Sequence, residues 1–196
     1  MKDTIKITWI IALLAVIGFS VAACSDDDDS GGSIFTYEGT VSNPDGIKAT
    51  DFSYSYYGEQ LSDYINEPAS ATISGSKLTI KLGVPKDEFL KEQEIGKYVP
   101  MTPSNAKVFL FNTLYTYDGE YYLSCMKDDS ELGFIYVDRD VTIKGTEDMS
   151  TYDMSLKKGW NYVIPTIEKK DKYTFTSSTT MPSGFQWTVI RNAQRW

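Results

Sequence analysis

The sequence predicts an all-β fold, and three observations support this prediction. Short runs rich in β-branched and aromatic residues recur from Ile34 onward, and Gly, Pro, Asn and Asp turn signals separate them. Only one segment has a convincing helical pattern. No long helical segments connect the strands, so a parallel α/β sheet is not indicated. About ten short strands at this spacing indicate an antiparallel β-sandwich, immunoglobulin-like or transthyretin-like, with one short helix; a lipocalin-like β-barrel is the alternative.

Strands and turns alternate in the first part of this region. Gly75 would occupy the first central position of a two-residue hairpin loop, a place that favours glycine. Pro85 begins a charged segment that contains Phe89 and Leu90, which fits a single surface helix. The predicted elements are a strand at Ile34–Val41, a turn at Asn43–Gly46, a strand at Ile47–Tyr57, an irregular stretch or short helical turn at Gly58–Glu67, a hairpin of Ala69–Ser74 and Lys77–Leu82, and a helix at Pro85–Glu92.

The clearest predicted hairpin lies in the middle of the chain. Its strands are Lys107–Tyr117 and Glu120–Met126, and Asp118-Gly119 is a type I′ turn signal. A two-residue turn would fix the register, and both faces would then be substantially apolar, as in a central hairpin. The expected pairs are Tyr117–Glu120, Thr116–Tyr121, Tyr115–Tyr122, Leu114–Leu123, Asn112–Cys125 and Phe111–Met126.

The last part of the chain is predicted to contain only strands and loops. Pro165 interrupts one strand and indicates an edge or a bulge, because proline cannot donate to a ladder. Trp160 and Trp187 alternate with apolar neighbours and are expected in the core. The predicted strands are Leu132–Val137, Val141–Lys144, Tyr152–Leu156, Trp160–Ile167, Lys172–Thr176 and Gly184–Ile190.

Composition excludes several kinds of chemistry. Histidine is absent, which excludes Ser-His-Asp and Cys-His catalysis and the usual histidine-containing zinc sites. The formal net charge of −8 gives no general attraction to nucleic acid. We therefore expect no metal, no cofactor and no nucleic-acid partner.

The amino terminus has the organisation of a secretory signal. Lys2 and Lys6 precede an uncharged stretch, Ile7 to Ala23, that is shorter than the roughly 20 residues of a membrane span. The sequence Val21-Ala22-Ala23-Cys24 then resembles the bacterial lipobox. This resemblance implies that cleavage follows Ala23 and that Cys24 carries lipid. With Cys24 modified, Cys125 has no partner for a disulfide and is expected to be a small buried apolar residue.

An acidic run follows the lipobox cysteine. Ser25, Asp26, Asp27, Asp28 and Asp29 are similar to the acidic export signal of surface lipoproteins in Bacteroidota. The resemblance implies a protein anchored by lipid in the outer membrane and facing the cell exterior. Three further segments resemble recurring parts of bacterial surface lipoproteins of unknown function, and they imply no activity: Tyr136–Gly145, Leu156–Asn161 and Gly184–Trp187.

These observations divide the chain into three parts. The expected parts are a signal peptide at residues 1–23, a lipidated cysteine with a flexible acidic linker at 24–33, and a single β domain at 34–196.

Tyrosines are the candidate ligand-binding residues. Rigid aromatic rings stack on sugars or hold partner surfaces, and the hydroxyl tolerates water. The alternative is that these rings are half-buried strand residues, which β-sheets select in any case. The candidates are Tyr54, Tyr56, Tyr115, Tyr117, Tyr121 and Tyr122, of which Tyr117 and Tyr121 flank a turn and are expected to be the most exposed.

Carboxylates are the second group of candidates. Asp128, Asp129 and Glu131, and the pair Asp138 and Asp140, could form a calcium site or an acid–base pair, but solvated side chains are the interpretation that we favour.

We therefore expect a non-catalytic binding module for a glycan or a protein. A small-ligand barrel and a carboxylate-based glycoside hydrolase are the alternatives. An exposed row of coplanar aromatic rings would favour the binding module. Two carboxyl groups roughly 5–10 Å apart in a cleft would favour the hydrolase, and a closed barrel with an apolar cavity would favour the small-ligand barrel.

Overall fold

The structure, a computed structural model, describes residues 34–50, 52–53, 59–92, 99–116, 118–167 and 172–192. The predictions for residues 1–33, Tyr54, Tyr56 and Tyr117 lie outside this part. Within these ranges, no helix has the length and apolar character that crossing a membrane requires.

The all-β prediction is confirmed. The only helix in the described ranges is α1 (Leu61–Tyr64), and the rest of the regular structure is β. The strands are β1 (Phe35–Ser42), β2 (Phe52–Ser53), β3 (Ala69–Ser74), β4 (Lys77–Leu82), β5 (Lys91–Glu92), β6 (Met101–Thr102), β7 (Lys107–Phe111), β8 (Leu114–Thr116), β9 (Tyr121–Lys127), β10 (Ser130–Glu131), β11 (Gly133–Val137), β12 (Val141–Glu147), β13 (Ser150–Leu156), β14 (Gly159–Ile167), β15 (Tyr173–Ser178) and β16 (Gln186–Arg191).

The strands form two curled sheets, one of which is nearly closed like a barrel. Sheet A has the order β2-β8-β9-β16-β1-β4-β3, with β10 paired to β9. Sheet B has the order β5-β7-β11-β14-β15-β13-β12-β6. Most neighbours are antiparallel, as predicted, but β1 pairs with β16 and β13 pairs with β15 in parallel.

Core 1 lies between the two sheets. Sheet A contributes the alternate residues Leu78, Ile80 and Leu82, and sheet B contributes Phe134 and Trp160 among others. Each such aliphatic or phenyl side chain stabilises the fold by about 1.5–3 kcal/mol when fully buried. Both tryptophans predicted to be internal, Trp160 and Trp187, are in this core, and Trp187 stacks on Phe134 with ring centroids 5.5 Å apart.

Core 2 belongs to sheet B and the adjoining segment 99–106. It contains Val137, Ile143 and Leu156, all essentially inaccessible to solvent. Strand β11 serves both cores, because Phe134 and Tyr136 face core 1 while Ile135 and Val137 face core 2. A strand buried on both faces reads as a continuous apolar run, as the sequence of β11 does.

The predicted helix at Pro85–Glu92 is wrong. Pro85 forms a β-bridge with Ile65, and the amide of Lys86 donates to the carbonyl of Tyr64 at 2.8 Å. Turns and strand β5 follow. Eight residues make a marginal helix in isolation, so pairing with the end of α1 decides the conformation. The short helical turn expected within Gly58–Glu67 is confirmed as α1.

The first predicted strand of the central hairpin is divided between the sheets. Strand β7 pairs with β11 in sheet B, whereas β8 pairs with β9 in sheet A. The register is confirmed for Leu114–Leu123 and Tyr115–Tyr122. It is wrong farther from the turn: Phe111 is opposite Phe134, and Met126 is opposite Glu131. The predicted Asn112–Cys125 pair is also absent, since the Leu132 amide donates to the Cys125 carbonyl at 2.8 Å.

Two further strand predictions differ in detail. Within the described part of Ile47–Tyr57, regular strand is limited to β2, with a single bridge at Ala49. Pro165 lies in β14, an interior strand of sheet B, yet the ladder with β11 ends at Val163. Pro165 is therefore paired only with β15, so its missing N–H leaves no gap in the β11 ladder.

Candidate functional site

The three predicted tyrosines that the structure describes, Tyr115, Tyr121 and Tyr122, do not form one continuous row. Tyr115 and Tyr122 are opposite each other on β8 and β9, half-buried, with ring centroids 6.1 Å apart and planes tilted by 47°. Tyr121 points to the other face of sheet A and packs against core 1, although it was expected to be among the most exposed. Of the predicted set, the described part of the chain thus brings together one tilted pair.

A carboxylate lies on the same face as this tyrosine pair. Glu131 Oε1 accepts a hydrogen bond from Thr113 Oγ1 at 2.9 Å and a short one from the buried Ser124 hydroxyl. Its Oε2 accepts from Asn112 Nδ2 at 3.0 Å. These bonds join β10 to β9 and to the link between β7 and β8. The role of Glu131 in connecting these strands is therefore enough to explain its position without a ligand.

Cys125 is a buried apolar residue, as predicted. It is free and fully inaccessible, and burial, with a smaller effect of Glu131, raises the pKa of its thiol to about 12. The thiolate required for nucleophilic chemistry is therefore not populated near neutral pH.

The predicted carboxylate pair Asp138 and Asp140 is engaged in structural bonds. Burial alone would raise the pKa of Asp138, but hydrogen bonds from Arg139 and from the Lys107 amide outweigh burial and lower it. Hydrogen bonds from the Lys157 ammonium and the Lys158 amide lower the pKa of Asp140. Both side chains are thus held as carboxylates, and neither can act as a proton donor near neutral pH.

The remaining acidic candidates, Asp128 and Asp129, lie in the turn between β9 and β10. Within the described ranges, no group of three or more acidic, cysteine or histidine side chains could hold a metal ion.

An aligned row of three aromatic rings lies on sheet B. Tyr152 and Phe175 are direct partners in the parallel pair β13–β15, with ring centroids 5.1 Å apart and planes within 13°. Tyr173, two residues before Phe175, lies on the same face, 6.3 Å from it and within 20°. We call Tyr152, Phe175 and Tyr173 the aromatic row. All three rings are half-buried, and Ile167, the partner of Tyr173 on β14, is 41% exposed.

The aromatic row continues the apolar surface of core 2. Tyr152 and Phe175 pack against that core, whereas Tyr173 lies farther out. The Tyr173 amide donates to the Met149 carbonyl at 2.8 Å, and the Met149 side chain is 56% exposed. The row therefore leads from a packed interior to a partly exposed apolar edge, an arrangement that is typical of ligand or partner contact.

The alternation Tyr173-x-Phe175 was visible in the sequence, and both β13 and β15 were predicted as strands. The pairing of β13 with β15 could not be predicted, because β14 lies between them in the chain and the two strands run parallel. Without that pairing, nothing in the sequence indicates that Tyr152 lies beside the other two rings.

Comparison with known proteins identifies no relative: no family model, curated protein or solved structure shows significant similarity to this chain.

Proposed function

We propose that this chain is a lipid-anchored outer-membrane protein that faces the cell exterior and binds a glycan without catalysis. The anchor rests on the lipobox resemblance at Cys24 and on the acidic run that follows it. The binding role rests on one observation, the aromatic row, whose three rings share one face of sheet B with nearly parallel planes.

The chemistry of the row suits a sugar ligand. Because the rings of the row stack on one another, a sugar would pack the apolar C–H face of a pyranose on Tyr173, the ring at the exposed end of the row. Tyrosine hydroxyls would form hydrogen bonds with sugar hydroxyls or water. Rigid aromatic side chains also lose little conformational entropy on binding. A protein partner is the competing occupant, since Met149 and Ile167 add exposed aliphatic surface beside the rings.

The architecture is proposed to be a sandwich in which one layer is itself strongly curled. The packing of sheets A and B across core 1 supports the sandwich, and the curled sheet around core 2 supports the barrel alternative. The large apolar side chains in core 2 favour a packed interior over a ligand cavity there.

A glycan array tests the proposal with the full chain purified in detergent. We expect selective binding to a set of oligosaccharides, and Tyr173→Ala should weaken it about tenfold, the equivalent of about 1.4 kcal/mol. Tyr122→Ala, which truncates a half-buried tyrosine of sheet A, is the matched control and should bind like the native chain. Absence of binding to any glycan would contradict the proposal. If Tyr122→Ala alone lost binding, the glycan site would instead be assigned to Tyr115 and Tyr122.

A further inference from the structure

A groove of about 600 Å³ opens where the two sheets meet at one rim of core 1. Sheet A contributes the segments next to its strands, with Ile34 before β1, Glu67 before β3 and Val84 after β4. Sheet B contributes Tyr136 from β11 and Lys158 from the turn before β14. This volume is in the range of small-molecule sites, and a seam between layers is a usual place for one.

Two backbone hydrogen bonds hold Gly83, one of the residues that line the groove. Its carbonyl accepts from Trp160 Nε1 at 2.8 Å, and its amide donates to the Pro68 carbonyl at 2.6 Å. The centroid of the Trp160 ring in turn lies 5.5 Å from the centroid of the Tyr136 ring. A ligand in the groove would therefore lie close to a tryptophan that can report on its presence.

One wall of the groove offers hydrogen-bond donors. Tyr136 is 4% exposed, yet it lines the groove, and its hydroxyl has no hydrogen-bond partner among the described residues. Burial, followed by Asp138 and Asp87, raises its pKa, so the phenol stays a neutral donor. The ammonium of Lys158 forms no ion pair with any described acid.

The residues next to the strands of sheet A offer acceptors. One oxygen of Glu67 accepts from the Ala69 amide at 3.1 Å, which orients the carboxylate and leaves its second oxygen available. The amide nitrogen of Asn66 donates to the Val84 carbonyl at 3.1 Å, so the amide oxygen of Asn66 remains to accept. Ile34 and Val84 add apolar surface to the groove.

We propose that this groove binds a short peptide with free termini. The terminal carboxylate would accept from the Lys158 ammonium and the Tyr136 hydroxyl. The terminal ammonium would donate to Glu67 and Asn66, and small apolar side chains would contact Ile34 and Val84. A neutral polyol would satisfy neither the ammonium of Lys158 nor the charge of Glu67, so the pairing of opposite charges favours a zwitterion.

This site is distinct from the aromatic row, which lies on the core 2 side of sheet B. Failure of glycan binding therefore has no bearing on it, and the reverse also holds.

Titration of the full chain in detergent with trialanine tests the proposal. The readouts are the heat of binding, measured by calorimetry, and tryptophan fluorescence. We expect saturable binding, and we expect N-acetylation or C-amidation of the peptide to weaken it at least tenfold. Lys158→Met should reduce the difference in affinity between free and amidated trialanine, because only the Tyr136 hydroxyl would remain to bind the carboxylate. Glu67→Gln should do the same for free and acetylated trialanine. Lys157→Met is the matched control, because Lys157 pairs with Asp140 outside the groove, and it should leave all affinities unchanged.

Three results would overturn the proposal. The first is the absence of saturable binding by trialanine, and the second is equal affinity for free and capped peptides in the native chain. The third is tighter binding of maltotriose that Lys158→Met or Glu67→Gln weakens, since this would assign the groove to a polyol.

Discussion

Gly83 shows how much a single position can decide in this fold. Its backbone is bonded to Pro68 on one side and to Trp160 on the other. A Cβ atom at this position would meet the carbonyl oxygen of Asn66 well inside contact distance. That obstacle is backbone, which cannot rotate away as a side chain could. Glycine is therefore required here by close approach of two chain segments and not by its backbone dihedral angles.

We accordingly predict that Gly83→Ala lowers the free energy of unfolding by about 3 kcal/mol, since overpacking displaces two segments at the rim of core 1. Gly46→Ala is the matched control. Gly46 has a φ of 62° in a turn, and a Cβ atom added there would meet nothing within 4 Å, so only about 1 kcal/mol should be lost. Urea denaturation followed by tryptophan fluorescence measures both values. Equal losses in the two variants would contradict the close-approach argument.

Residues whose burial follows from their own chemistry were predicted correctly. Trp160, Trp187 and Cys125 are all internal. Tyrosine is harder to place, because a ring with a polar hydroxyl is compatible with either face of a sheet. Tyr121 illustrates this difficulty: its position beside a turn indicated exposure, whereas strand parity directs it toward core 1.

At the scale of elements, local pairing was readable and distant pairing was not. The hairpin of β3 and β4 forms with Ser74 opposite Lys77, as the Gly75 signal predicted. The parallel pairs β1–β16 and β13–β15 join segments that no turn connects, and no short-range pattern reports such contacts. The separation of β7 and β8 into different sheets was not predicted for the same reason, because β7 pairs with β11 and not with the strand that follows the local turn.

The two aspartates of the loop between β11 and β12 form hydrogen bonds with neighbouring elements. Asp138 accepts from the Lys107 amide at the start of β7, at 2.9 Å, and from Arg139. Asp140 accepts from Lys157 and Lys158 in the turn before β14. Both carboxylates are needed in their charged form, which makes this loop sensitive to acid.

For Asp138→Asn we predict a loss of about 1 kcal/mol in unfolding free energy at pH 7. The pKa of Asp138 is lower in the folded chain than its unfolded value of about 3.9. Its contribution is thus present above about pH 4 and is lost as pH falls through the folded pKa. Urea denaturation should therefore show that the difference in unfolding free energy between the native chain and Asp138→Asn becomes smaller at about pH 2–3. Asp153→Asn, which removes a well-exposed ion pair with Lys144, is the control and should cost only a few tenths of a kcal/mol. If Asp138→Asn lost the same unfolding free energy at pH 7 and at about pH 2–3, the assignment would be contradicted.

At the scale of the whole molecule, sheet B joins the two cores. Strand β11 places Phe134 and Tyr136 in core 1 and Ile135 and Val137 in core 2. The aromatic row lies on the core 2 side of this sheet, whereas the groove lies at the rim of core 1. The two proposed sites are therefore on opposite sides of one shared layer. This placement leaves room for two ligands at once, and the groove, which Ile34 lines, is the one next to the expected linker.

The proposed lipid anchor at Cys24 would determine where both sites meet their ligands, and it can be tested directly. Cys24→Ala should abolish retention in the outer-membrane fraction, since lipid attachment needs the cysteine thiol. Cys125→Ala is the matched control; it removes the other cysteine, which is buried, and should leave retention unchanged. Protease added to intact cells should digest the native chain, as expected for a protein on the outer surface. Continued fractionation of Cys24→Ala with the outer membrane would refute lipid anchoring. Protection of the native chain in intact cells would instead show that the acidic run at Asp26–Asp29 does not direct export to the surface.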